Sequence, residues 1–364
     1  MSYVADIARS ITRYEAADRA ALLEFQVEYF GARSRQCDDQ YFQWLFEKNP
    51  YQEPGRPTLW ISKRDGVVVG QQASIPVMLK AGDFQYKADW GIDLMVRPEW
   101  RLKGVAPALS AEYERSAEVL LGGAMSEAAH RAFMRRGWTD LGMLPFLVRP
   151  LDPKVCAQTT HAPRYLTKLT PTFAARGSAK VAGCLLGAAA RMSLEPISAF
   201  DDHIDRIWAV ASGDYHVLVR RDFRYLRWRF DEIPGSTGYQ RYYLQHRGKV
   251  IGYAVTRLEP WRGYVVGRVI DYLAPRTALG PLLALVIREL DSQAVAAVFI
   301  EQLHHGSERV LRMLGCFRAP AATRFIMNAH GAASPLKGLL GTAGSWLVSL
   351  ADSDLDHEAS YAPP

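Results

Sequence analysis

Cysteine is scarce in this chain. Cys37, Cys156, Cys184 and Cys316 are the only four in 364 residues, and no CxxC pair or histidine at metal-ligand spacing accompanies them. That pattern excludes a disulfide framework and a structural zinc site, and the expectation is free thiols in a reducing compartment. A long apolar run is also missing. The most apolar stretch, "VAGCLLGAAA" at 181–190, falls well short of the roughly 20 residues that a membrane helix needs. The first residues, "MSYVADIARSITRYEAADRAALLEF", carry charges every few positions and lack the apolar core of a signal peptide. The expectation is therefore a cytoplasmic protein without membrane insertion. Charge of one sign is in small excess, with 44 Lys and Arg against 38 Asp and Glu. Nucleic-acid recognition calls for a clustered basic stripe, so no nucleic-acid partner is expected; a mild surplus of arginine suits an anionic small ligand. "DSDLDHE" at 352–358 has the alternating acids of a calcium loop but lacks its glycine and its closing glutamate, so no metal is expected.

What the chain does have is a repeat. "YFQWLFEKNP" (41–50) returns as "YLRWRFDEIP" (225–234), so Tyr41, Trp44, Phe46 and Pro50 match Tyr225, Trp228, Phe230 and Pro234. "LWISKRDGVVVG" matches "YYLQHRGKVIG", "GIDLMVRP" matches "VIDYLAP", and "FMRRGW" matches "LRMLGC". The order never changes and the offset stays between 178 and 184 residues, which marks two copies of one domain. The predicted division is 1–155, a linker and helix over 156–192, a second copy over 193–330, and a tail over 331–364. In copy one, hydrophobic periodicity predicts a short strand near Ser10–Tyr14 and helices over Ala16–Phe30 and Asp39–Lys48. Two strands flank the Asp65-Gly66 hairpin signal. A long strand then ends at "RPEWRLKGVAPAL" (97–109) ahead of a helix, and a strand, a helix from Ser126 to Arg136 and two further strands follow. The fold class is α/β (α+β): two units, each a mixed, mostly antiparallel sheet flanked by helices.

The turn at 97–109 invites a ligand. A glycine-containing connection from strand to helix leaves backbone N–H groups unpaired at the helix start, where the aligned peptide dipoles add partial positive charge. Gly104 lets a phosphate approach, Ala106 does not block it, Arg101 and Lys103 add charge, and Pro107 suits a first helical turn.

Arg101-x-x-Gly104-x-Ala106 after "IDLMVRPEW" resembles the coenzyme A loop of the GNAT acyltransferase superfamily. "SEAAHRAFMRRGW" (126–138) resembles the same superfamily's Asn-x-x-Ala-x-x-x-Tyr-x-x-x-Gly-Phe helix, and the whole chain resembles the two-domain, tandem GNAT proteins of bacteria. The resemblance implies acetyl-CoA or another acyl-CoA as co-substrate. Its pyrophosphate would lie on Arg101, Lys103, Gly104, Val105 and Ala106, and its pantetheine arm against the backbone of Met95 and Val96. It further implies direct attack by an amine of a small molecule or amino sugar, with a carboxylate or water chain taking the proton. Asp93 is the nearest acid on the strand, with Asp89 a lesser candidate. A structural role for Asp93 stands beside the catalytic one, since Asp271 occupies its place in copy two.

The pattern departs in places. The tyrosine proposed in the family to protonate the leaving thiolate is Phe133 here, and the helix asparagine is Ser126, which is a candidate catalytic serine and equally a plain N-cap. Tyr113 is a possible substitute acid, with core packing as its alternative. Copy two reads "APRTALGPLLAL" at the loop position, where Pro281 removes an N–H. One CoA site, in copy one, is the expectation. In "RRDFRYLRWRF" (220–230) the aromatics are expected in the core and the arginines on a solvated face. The alternative function is a non-catalytic acyl-CoA sensor or scaffold. An aminoacyltransferase using transfer RNA would need a clearer basic groove.

Overall fold

The architecture below comes from a computed structural model that describes residues 7, 9–159, 191–235, 238–329 and 334–357. Most of the expected linker and helix, including "VAGCLLGAAA", lies outside the described residues. The first half of the chain runs through β1 (Ile11–Arg13), α1 (Arg19–Phe30), α2 (Asp39–Phe46), β2 (Leu59–Arg64), β3 (Val67–Ala81) and β4 (Phe84–Val96). It continues with α3 (Val105–Tyr113), β5 (Val119–Gly123), α4 (Glu127–Arg135), β6 (Thr139–Met143), β7 (Phe146–Pro150) and α5 (Pro153–Thr159). The second half opens with β8 (Met192–Ile197), α6 (His203–Ala211), β9 (Val217–Val219), α7 (Phe223–Leu226), β10 (Tyr239–His246) and β11 (Lys249–Trp261). It then has β12 (Tyr264–Leu273), α8 (Arg276–Ser292), β13 (Ala297–Leu303), α9 (His305–Met313), β14 (Phe317–Ala319), β15 (Arg324–Asn328), α10 (Ser334–Leu340) and β16 (Trp346–Ser349). Among the described residues no helix is long and apolar enough to cross a membrane.

Local chemistry repeats with the sequence. Asp65 and Gly66 both take positive φ (50° and 79°), and so do Arg247 and Gly248 (50° and 74°), the requirement of a tight hairpin turn. The Asp38 carboxylate accepts from the Tyr41 N–H at the start of α2, and Asp222 accepts from Tyr225 at the start of α7, each at 2.9 Å. The repeated tryptophans meet face to face. Trp44 and Trp228 stack with centroids 4.7 Å apart, and each indole N–H donates to the other's backbone carbonyl, at 2.7 and 2.8 Å. The pair buries two large rings with both donors satisfied.

Each half-sheet has seven strands, and each borrows one from the other half. The first is β1-β2-β3-β4-β5-β15-β6 and the second β8-β10-β11-β12-β13-β7-β14. Only two residues, Leu144 and Pro145, separate β6 from β7, too few to fold β7 back between β5 and β6. It crosses to β13 instead, and β15 fills the place it leaves. Beyond the exchange, β9 pairs with β3 and β16, and β16 pairs with β13, so one continuous sheet runs through both halves. The stretch expected as a tail therefore supplies, in its described residues, a helix and a strand of that sheet.

Candidate active site

The site begins at a break in pairing. β4 runs parallel to β5 from Ala88↔Val119 to Gly91↔Gly122 and no further, while β4 itself continues to Val96. A bulge coincides with the break: Ala73 faces Ile92 and Gln71 faces Met95, so Gln72 opposes two residues, and Asp93 takes φ +51°. A bulge of this kind twists and bends its strand, and β4 leaves β5 with its edge toward a gap. Tyr113 closes the lower end of the gap. Its hydroxyl lies 2.8 Å from the carbonyls of both Asp89 and Leu121, and burial holds the phenol well above its ordinary range. With the proton committed to a carbonyl, Tyr113 is a packing residue and no substitute acid.

Above the gap lies a cavity of about 740 Å³ whose walls include Tyr29, Met95, Val96, Arg101, Gly104, Ala106, Ser110, Phe133, Arg135 and Arg136. Gly104 caps α3 in the left-handed conformation, φ +89° and ψ −2°, which favours glycine. The first N–H groups of α3 have no intrahelical partner and stand beside the guanidinium-bearing wall. These features fit a diphosphate. Lys103 is not among the cavity's walls; its ammonium sits 5.0 Å over the Trp100 ring. The Val105 side chain turns into the apolar cluster under the loop and is buried, so only its backbone is available. Arg101 donates from Nε to the Val96 carbonyl at 3.2 Å, as the Tyr29 hydroxyl does at 2.6 Å, which fixes the end of β4.

A second cavity, about 300 Å³, adjoins the first and shares Leu94, Ser126, Ala129 and Phe133 with it. Asp93 and Ser126 line it, together with Gln72, Trp90, Met125, Trp138, Ile326 and residues 353–355. Ser126 caps α4, its Oγ accepting from the Ala129 N–H at 3.2 Å. Phe133 packs on Trp138 with centroids 4.7 Å apart and stands where the two cavities meet. Asp89 lies elsewhere. It is buried, accepts from the Ser116 hydroxyl and faces a separate opening beneath the sheet, which removes it as a base.

Sequence reasoning missed Asp354. The three aspartates of "DSDLDHE" have three separate surroundings. Asp352 pairs with Arg221 at 3.0 Å, Asp356 pairs with Arg229, and Asp354 lies between them in the wall of the second cavity. Burial pushes the Asp354 carboxyl up, and the Arg35 guanidinium, 4.0 Å away, partly opposes this. No local pattern marks it, since Asp352 ends one 3-10 turn, Asp356 lies in the next, and Asp354 falls in the bend between them. The expectation of a solvated arginine face is corrected here. Arg221 and Arg229 are fully buried, because the C-terminal carboxylates neutralise them inside; Arg224 and Arg227 are the exposed pair.

Copy two has the corresponding splay but fills it. Asp271, the counterpart of Asp93, binds Arg221, which also reaches Ser349 and Asp352. Only Ala274 and Pro275 separate β12 from α8, so no loop exists to cradle a phosphate, and Pro281 lies inside the helix. The neighbouring His304 and His305 do not mark a metal site: His304 caps α9, its Nδ1 accepting from the Ser307 N–H at 3.1 Å, and burial lowers its pKa to about 4.

No protein-family model and no curated protein sequence matches the chain. Solved structures do. A GCN5-related N-acetyltransferase from Anabaena variabilis matches at 15% identity with a TM-score of 0.59, covering 88% of this chain and 72% of that one. A probable N-acyltransferase from Enterococcus faecalis matches at 11% identity and a TM-score of 0.56, covering 88% and 71%. Saccharomyces cerevisiae N-myristoyltransferase with bound myristoyl-CoA matches at 12% identity and 0.52, covering 80% and 74%. The chain thus has the GNAT fold in the tandem arrangement shared by N-acetyltransferases and N-myristoyltransferases.

Proposed function

We propose that the protein is an acyl-CoA-dependent N-acyltransferase whose first half binds the thioester and whose acceptor is a small amine. One observation carries this reading: a cavity built on a left-handed glycine and a free helix N-terminus opens, past Phe133, into a second cavity that holds carboxylates. The diphosphate lies at the N-terminus of α3 with Arg101, Arg135 and Arg136 around it. The pantetheine arm follows the unpaired edge of β4 near Met95 and Val96, which brings the thioester to the junction of the cavities. Backbone N–H groups freed by the bulge polarise the thioester oxygen. Asp93 and Ser126 reach the same chamber and are candidates for proton handling and orientation of the acceptor. No hydroxyl replaces the family tyrosine at Phe133, and a CoA thiolate leaves without one. That same substitution supports the second reading, a CoA-binding sensor without chemistry.

Isothermal calorimetry with acetyl-CoA and longer acyl-CoA tests the binding. The expected result is one site per chain, since copy two lacks the loop; two sites, or none, would refute the reading. Free thiol release over a panel of acceptors separates enzyme from sensor.

A further inference from the structure

We infer that the 300 Å³ chamber takes a small hydroxylated primary amine in its ammonium form, and that Asp354 of the C-terminal segment accepts its proton. This rests on the acyl-CoA reading above and goes beyond it to the acceptor.

Three observations carry it. The first is charge: Asp93 and Asp354 both line the chamber, and no lysine, arginine or histidine does among the described residues. A cationic amine is the ligand that such a wall selects. The second is a pair of buried polar atoms without partners, the Trp90 indole Nε1 and the Gln72 side-chain Oε1, both on residues of the wall and both only 2% exposed. The Gln72 amide is held in one orientation, since its Nε2 donates to the carbonyls of Ala73 and Ile92 at 2.9 Å. One donor and one acceptor therefore stand unpaired behind the chamber surface, a cost that a ligand group reaching them would remove. Hydroxyl groups fill both roles, because each donates once and accepts twice. The third is size. A chamber of about 300 Å³ has the volume of roughly ten water molecules, which fits an amino alcohol or amino sugar and not a folded substrate.

Asp354 is placed by others. Arg221 and Arg229 hold Asp352 and Asp356 on either side of it, and Arg229 also donates to the carbonyls of Ala351 and Ser353 at 3.0 Å. The charged and titratable groups around its carboxyl are Arg35, Tyr41, Arg229 and Asp356, and Asp93 acts on Tyr41 as well. The ammonium gives one proton to the Asp354 carboxylate. The freed lone pair forms the C–N bond at the thioester carbon, and the C–S bond breaks with its electron pair on sulfur. The second proton lost from nitrogen goes to the thiolate, and Asp354 returns its own to solvent.

The test measures thiol release from acetyl-CoA and octanoyl-CoA with ethanolamine, glucosamine, n-butylamine, a glycyl peptide and an alcohol, with calorimetry of CoA on every variant. The hydroxylated amines are expected to exceed n-butylamine in kcat/KM by about tenfold or more. Asp354→Asn should lower kcat/KM at pH 7 by about a hundredfold, less as the pH rises toward the amine's own pKa, with Asp354→Glu partly active and the Kd for CoA within about twofold. Trp90→Phe should raise KM for the hydroxylated amines about tenfold and leave n-butylamine unchanged. Preference for the peptide or the alcohol, silence with every amine while CoA binds, or an Asp354→Asn profile parallel to the parent's would overturn the assignment. Loss of CoA binding in Asp354→Asn would return that residue to a structural role and overturn it as well. Failure of the parent to bind CoA would refute the acyl-CoA reading itself.

Discussion

Gly104 is the residue on which the diphosphate reading turns. A Cβ built there meets nothing nearer than Ile7 at 4.0 Å, so a side chain has room in the free protein and obstructs only the ligand. The positive φ is the complication, since most residues are strained in it; asparagine tolerates it better than most. Gly104→Asn is therefore the informative substitution. CoA affinity should fall by about a hundredfold, or ~2.7 kcal/mol, while Tm falls by only about 2–4 °C. Unchanged affinity would mean that the turn merely connects strand to helix. Phe133 stands at the mouth between cavities with its ring against Trp138. If the thiolate departs without an acid, Phe133→Tyr changes turnover by less than about tenfold, which is ~1.4 kcal/mol of barrier.

At the scale of the elements, the gap between β4 and β5 depends on how closely α3 lies on the sheet. A Cβ at Gly91 would sit 2.9–3.0 Å from the ring and hydroxyl of Tyr113, closer than packed atoms approach. That glycine lets Tyr113 lie across the strands and bridge the last carbonyls before they part. Gly91→Ala should therefore destabilise the protein by about 1–3 kcal/mol through overpacking, read as a lower urea midpoint with an unchanged slope. An effect below a few tenths would show that α3 can shift, and that the gap is not set by this contact. In copy two, Gly267 stands as close to Leu290, at 2.8 Å. The two sheets therefore share a packing device.

At the scale of the whole molecule, the exchange of β7 and β15 and the bridging strand β16 tie both halves into one sheet. The buried arginines extend that coupling to the C-terminal segment. Arg229→Met would take the guanidinium away from the buried Asp356 carboxylate, which also accepts from the Tyr239 hydroxyl, and breaking a buried ion pair costs about 3–5 kcal/mol. Calorimetry should show a single unfolding transition that moves as a whole to lower temperature, with part of the loss recovered by adding Asp356→Asn. Two separable transitions would mean that the halves are energetically independent despite the shared strands.

Periodicity, the Asp65-Gly66 turn, the Ser126 cap and the repeated Tyr-x-x-Trp-x-Phe helix were legible because each depends on residues a few positions apart. So was the strand-turn-helix at 97–109, whose Gly104 sits where φ is positive. What no local pattern could carry was the path of β7 into the other half-sheet, which follows from a two-residue connection meeting a twisted sheet, and the burial of Arg221 and Arg229. Their C-terminal partners, Asp352 and Asp356, lie more than 120 residues away, and a basic, aromatic stretch is solvated or buried according to whether those carboxylates arrive. The chamber wall is of the same kind. Asp93, Trp90, Ile326 and Asp354 share it only because the exchanged strand and the C-terminal segment converge on the bulge. Sequence alone determined the elements and the likeness to acyl-CoA enzymes, since backbone conformation and helix dipoles are local physics. Tertiary structure decided which acids share the chamber wall, because charge burial depends on every chain segment that packs around it.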